Sequence, residues 1–243
     1  SDIHLGTYGC HAKELLQYLK SVKPKTLVLN GDIIDIWQFK KRYWPANHML
    51  VVKHILGWVA KGVKVIYITG NHDEMLRKFA GFKMGSLRIE NKYVLEIDGE
   101  RVWLFHGDVF DVTMQHAKWL TRFGSVGYDL LILLNRAVNH ASKRLGHGPI
   151  SISKRIKNSV KTAVKFINAF ESTVAEIGIR NGYNYVICGH IHHPEIKEII
   201  QDGASIQYMN SGDWIENLSA LECHQGKWQL YFYDEQHYNQ FEA

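Results

Sequence analysis

The stretch VKVIYITGNHDE (Val63–Glu74) begins as a run of β-branched and aromatic residues and ends in a cluster of polar ones. The first part reads as a buried strand, the second as the loop that follows it. TLVLNGDIID (Thr26–Asp35) has the same layout, with Gly-Asp in place of Gly-Asn-His. Between the two, Val52, Ile55, Leu56 and Val59 recur at helical spacing and Gly62 is placed to end that helix. A second helix is expected from Lys13 to Val22, stopped by Pro24. Strand, helix, strand with polar residues at each strand end predicts an α/β fold with a parallel sheet segment.

Further along, YVLEI (Tyr93–Ile97) and RVWLF (Arg101–Phe105) flank Asp98-Gly99 and read as a hairpin. YNYVICG, SIQYMN, LSALEC and KWQLYFY are strand-like, so two sheets packed face to face with helices outside are expected. From Val112 to Ile179 the pattern turns helical. Ile152, Ile156, Val160, Val164, Ile167, Phe170, Val174 and Ile177 form one apolar stripe. The reading is a single domain over residues 1–243 carrying an inserted helical cap at 112–179.

At 243 residues and 46% hydrophobic content, the chain has ample core for one domain. No apolar run approaches the roughly 20 residues that span a bilayer; the longest, Leu130–Leu134, is far too short. No secretory leader is visible, though the sequence opens at Ser1 without a methionine. Three cysteines without a Cys-x-x-Cys pair suggest neither a disulfide framework nor a thiolate zinc site, and a reducing cytoplasm is the default. The charge of +5 is concentrated. Leu130–Phe170 holds eight Lys and Arg and no acidic residue, which points to a local anionic partner.

The chemistry lies in five short motifs at strand-to-loop junctions: SDIHLG, NGDIID, TGNHDE, FHGDVFD and CGHIHH. They offer Asp2, His4, Asp32, Asn71, His106, His190 and His192 as metal ligands. In open α/β sheets the carboxyl ends of the strands converge on one crevice, so residues distant in sequence meet there. On an extended backbone Asp2 and His4 would face one side, as would His190 and His192, with His193 opposite. Seven Asp, Asn and His donors exceed one tetrahedral site. They suit two divalent ions of the Mn, Fe or Zn kind, bridged by one carboxylate, with Asp32 the natural bridge. His72 fits a general acid for the leaving oxygen, with Asp73 placed to orient its ring. Asp35 and Asp108 read as turn, cap or supporting residues.

These motifs, in this order, resemble the calcineurin-like metallophosphoesterase superfamily from Asp2 to His192. The resemblance implies a four-layer αββα sandwich. It also implies one ion held by Asp2, His4, Asp32 and His192, a second by Asp32, Asn71, His106 and His190, and His72 as the catalytic histidine. Within the superfamily the cap position, the GHIHH pair and NSGDW (Asn210–Trp214) resemble the bacterial UDP-2,3-diacylglucosamine hydrolases of lipid A synthesis. That resemblance implies two Mn²⁺ ions and hydrolysis of the pyrophosphate of an anionic, lipid-linked nucleotide sugar. The setting would be cytoplasmic, at the inner face of the cytoplasmic membrane with peripheral contact. Arg77, Arg155, Lys157, Asn158 and Lys161 would contact substrate. GNHD stands where that family carries GNRD. The alternatives are a nuclease or nucleotide phosphodiesterase of the same fold, with the basic cap tracking a phosphate backbone, and an inactive phosphoesterase-like scaffold. The aliphatic cap argues against nucleic acid, and complete motifs argue against a scaffold. No protein partner is deducible.

Overall fold

In the computed structural model of the chain, residues 1–37, 43–110 and 153–235 are described, with side chains in the last segment from residue 164 onward. The described helices are α1 (Ala12–Ser21), α2 (Ala46–Ala60) and α3 (Ser153–Arg180), with short 3-10 turns at Glu74–Phe79 and Asp108–Phe110. The described strands are β1 (Thr26–Asn30), β2 (Lys64–Ile68), β3 (Lys83–Met84), β4 (Leu87–Glu90), β5 (Lys92–Ile97), β6 (Glu100–Phe105), β7 (Tyr185–Cys188), β8 (Glu195–Gln201), β9 (Ala204–Asn210), β10 (Ser219–His224) and β11 (Lys227–Phe232).

They form a mixed α/β architecture of three sheets ordered β1-β2-β4-β3, β5-β6-β7-β9-β8 and β10-β11. The pairs β1–β2, β2–β4, β6–β7 and β7–β9 are parallel. Alternation along β2 explains the layering. Val65 and Tyr67 join Leu15, Leu19, Val51, Ile55 and Trp58 of α1 and α2 in one core. Ile66 and Ile68 point the other way, to Val102, Leu104, Ile187 and Met209 of the five-stranded sheet. Successive side chains on a strand face opposite sides, so one apolar run serves two cores. On the far side of that sheet the last turns of α3 pack closely: a Cβ on Gly178 would collide with Ile206 of β9. The layers therefore run helix, sheet, sheet, helix.

The expected hairpin at Asp98-Gly99 is present, with both residues at positive φ. Gly62, at φ +84°, closes α2 as its sequence position suggested. β3, β4 and β8 were not anticipated. β8 (EIKEIIQ) is half-exposed along its length, and its charged residues weaken the strand pattern.

The chain divides into two compact units, Ser1–Asp108 with Ser172–Ala243, and Val109–Glu171. In the second, Phe110 and Phe170 meet edge to face at 6.0 Å. Residues 112–152 of the expected cap lie outside the described residues, as do the side chains of Arg155, Lys157, Asn158 and Lys161. Among the described residues no helix is long and apolar enough to cross a membrane.

Candidate metal centre

The loops after β1, β2, β6 and β7 deliver Asp32, Asn71, His106 and His190 to one end of the two sheets. The N-terminal residues lie beside them. Asp2 N–H donates to Gly31 O, and Ile3 and His4 N–H both donate to Asp32 O. Asp2 and His4 reach one site as expected, though not through an extended backbone, whereas His190 and His192 part to different groups. Neither pair is extended. Asp2, His4, Asp32, His190 and His192 all sit at positive φ, between 51° and 68°. Left-handed backbone costs a non-glycine residue roughly 1–2 kcal/mol, and such strain gathers at functional sites. Here it turns His190 and His192 toward different neighbours. His192 groups with Asp2 and His4, while His190 groups with Asp32 and His106.

The two groups meet at Asp32. Its Oδ2 lies 3.9 Å from His4 Nε2 and 3.2 Å from His106 Nε2. Its Oδ1 accepts the His72 backbone N–H at 2.8 Å. On the other side His192 Nε2 lies 3.1 Å from Asp2 Oδ1. Asp2, His4, Asp32 and His106 are all buried.

Supporting groups fix the rings. His106 Nδ1 donates to Asn30 O at 2.9 Å, and His4 Nδ1 faces Asp35 Oδ2 at 3.0 Å. Both contacts leave Nε2 as the inward nitrogen. A ligand histidine commonly bonds a carbonyl or carboxylate through its other nitrogen in this way. His4 Nε2, His106 Nε2 and Asn71 Oδ1 are buried without an aligned hydrogen-bond partner. Buried polar atoms are rarely left so, and three together among carboxylates fit divalent cations. The donor set, oxygen and imidazole without sulfur, fits a borderline-hard ion.

The carboxylates and imidazoles of the cluster favour one another's charged forms. Burial opposes ionisation of Asp2, but His192 and His106 keep its carboxyl well below the usual range. Asp32 is drawn down to about 2 against burial, chiefly by His106. Burial likewise opposes protonation of His106, yet Asp32 and Asp2 lift it to about 10. His192 rises against burial to about 9 through Asp2.

Asp73 does not orient His72. Its carboxylate accepts from Ile33 N–H at 2.9 Å, Tyr67 O–H at 2.6 Å and Gly70 N–H at 2.6 Å. It is taken up in tying the GNHD loop to Ile33 and to Tyr67 of β2. The partner of His72 is Asp35, whose Oδ2 lies 2.9 Å from His72 Nδ1. Burial opposes it, but Asp35 raises His72 above its ordinary range. The sequence signal for Asp35 is its spacing of three from Asp32 in GDIID.

Two supports were not anticipated. Asp213 accepts from Ile215 and Glu216 N–H and from the Asn217 side chain, while Asn217 Nδ2 also donates to His192 O at 2.9 Å. Trp37, 58% exposed, lies over His72 with ring centroids 4.6 Å apart. Of the expected substrate residues, Arg77 is described; its guanidinium pairs with Asp108.

Close packing sets a testable limit. A Cβ on Gly70 would overlap Asp32 Oδ1 and stand 2.8 Å from His106 Cδ2. Gly70→Ala is expected to destabilise the fold by about 2–3 kcal/mol and to lower metal affinity with it. Thermal unfolding with and without added metal checks both.

The family model for calcineurin-like phosphoesterases matches residues 1–194. The chain belongs to that family. This phosphoesterase is therefore a metal-dependent phosphoester hydrolase, and its Asp and His side chains form candidate clusters for divalent ions. It is 26% identical to a UDP-2,3-diacylglucosamine hydrolase of Aeromonas salmonicida, across 95% of this chain and 90% of that one. A protein of the same name from Aeromonas hydrophila is 27% identical across 95% of each. One from Aliivibrio fischeri is 25% identical across 91% and 92%. Among solved structures, a novel archaeal phosphodiesterase aligns over 91% of this chain and 90% of its own at 12% identity and a TM-score of 0.39.

Proposed function

We propose that this phosphoesterase hydrolyses the pyrophosphate of a lipid-linked nucleotide sugar, UDP-2,3-diacylglucosamine or a close analogue, releasing UMP and the acylated sugar phosphate of lipid A synthesis. The observation that carries the hydrolytic reading is Asp32 Oδ2, close to an inward imidazole nitrogen of each ligand group. The substrate reading is supported by relatives of that name aligned along nearly the whole chain.

Asp2, His4, Asp32 and His192 would hold one ion and Asp32, Asn71, His106 and His190 the other. Several imidazoles favour Mn²⁺ over Mg²⁺. Bound there, two divalent ions supply a water nucleophile near neutral pH and charge to offset that building on phosphorus. The protein's own part is geometry and proton supply. His72, whose protonated form Asp35 favours, donates to the departing oxygen. Arg77, anchored by Asp108, meets phosphate oxygens. Arg155, Lys157, Asn158 and Lys161 contact the anionic sugar, and the enzyme works at the cytoplasmic face of the inner membrane.

The test is UMP release from UDP-2,3-diacylglucosamine by the purified protein with Mn²⁺, with and without chelator. Chelator-sensitive release supports the reading. Absence of release alongside brisk turnover of an aryl phosphodiester would keep the hydrolytic centre and overturn the substrate.

A further inference from the structure

The segment that follows the GNHD loop presents large apolar side chains to solvent. Met75, Phe79, Phe82 and Met84 are 56%, 46%, 51% and 48% exposed. Every residue from Lys78 to Gly85 is exposed, and the 3-10 turn Glu74–Phe79 buries none of its residues. This is not slack chain. Gly81 N–H donates to Ile89 O at 2.8 Å, Ile89 N–H to Phe82 O at 3.0 Å, and Phe82 N–H to Phe79 O at 2.9 Å. The backbone is tied to β4 while the side chains are held outward. Soluble surfaces rarely keep several large apolar groups together unless something covers them.

The charges beside the patch say what that is. Lys78 Nζ lies 5.2 Å from the centroid of the Phe79 ring. Lys83 stands directly opposite Arg88 across the β3–β4 pair. Like charges opposite each other are unfavourable in a sheet, and an anionic surface relieves that repulsion. Apolar side chains that reach outward with cations beside them match the interface of an anionic bilayer, acyl boundary below and phosphates above. Among the described residues of α2, Lys53 is the one Lys or Arg lying in sequence between the exposed apolar Met49, Leu50 and Leu56.

We propose that Met75, Phe79, Phe82 and Met84, with Lys78, Lys83 and Arg88, form a membrane-docking surface for an anionic lipid bilayer. Leu76 N–H donates to Asp73 O at 2.9 Å, so the turn starts directly from the loop that carries Asn71 and His72. Docking there sets the candidate centre next to the lipid surface. The inference deepens the lipid-substrate reading above and rests on it for its purpose, though its test uses no substrate.

The test is co-sedimentation of the full chain with phosphatidylcholine vesicles, with or without one-quarter phosphatidylglycerol. The wild-type protein is expected to bind the anionic vesicles more tightly. Phe79→Ser/Phe82→Ser is expected to weaken that binding at least about tenfold. Lys78→Glu/Lys83→Glu is expected to do so on anionic vesicles by a similar factor. Phe79→Leu/Phe82→Leu is expected to retain it, and all variants should hydrolyse a soluble aryl phosphodiester as the wild type does. Wild-type failure to bind anionic vesicles, or equal binding by the serine variant, overturns the proposal. Vesicle binding without UMP release would overturn the substrate reading alone.

Discussion

Asp32→Ala is expected to remove both metal positions together and to lower phosphodiester turnover by more than about a thousandfold. The reason is geometric. Asp32 Oδ2 is the carboxylate oxygen that approaches His4 of one ligand group and His106 of the other. Loss of a ligand such as His192 would remove one donor from a single group. Loss of Asp32 removes a donor from each and takes away the carboxylate that His4 and His106 share. Metal content by mass spectrometry and turnover in the same preparation check this. Full activity, or retention of two ions per chain, would falsify the bridging assignment. Asp32→Asn is the companion variant. Asn tolerates the left-handed backbone recorded here at φ 54° better than Ala does, so it separates lost charge from lost conformation.

The second large effect concerns the pair His72 and Asp35. His72→Ala is expected to leave metal content intact and lower kcat by about a hundredfold to ten-thousandfold, the usual worth of a positioned proton donor. Asp35→Asn is expected to lower kcat too, with a further sign in its pH profile. Asp35 holds His72 above its ordinary range. The donor works only while protonated, so activity falls as pH rises through that raised value. Removing the carboxylate lowers the value and moves the falling limb to lower pH. Because Asp35 also bonds His4 Nδ1, metal affinity should drop by roughly ten- to a hundredfold. His72→Ala would lack that drop. An Asp35→Asn enzyme with wild-type metal affinity and an unmoved alkaline limb would return Asp35 to a purely local role.

Much of the fold was legible because the decisive elements obey short-range rules. β1, β2, β6 and β7 are apolar runs that stop at glycine or histidine, and Asp98-Gly99 is a turn pair that fixes its own hairpin. β8 and β4 were missed because edge and half-exposed strands carry charged residues that blur the period. The centre was legible in a different way. Its donors stand at strand ends, and parallel topology gathers strand ends whatever the intervening sequence.

Sequence by itself determined which residue types reach the site: carboxylate, amide and imidazole at junctions where the chain leaves a strand. Those identities are local, and the alternation that brings them to one end of the sheets is local as well. Tertiary structure alone decided how they divide the work. Asp2, His4, His190 and His192 are turned by left-handed backbone, not by strand alternation, and that conformation is stabilised by neighbours distant in sequence, such as Gly31 O and Asp32 O. The same holds for the two acids Asp35 and Asp73. Asp73 follows His72 in sequence but is consumed by Ile33, Tyr67 and Gly70, while Asp35, from another strand end, reaches the ring. Adjacency along the chain fixes distance between backbones. Which side chain meets which is fixed by packing, because each buried donor and acceptor must find a partner within hydrogen-bond reach.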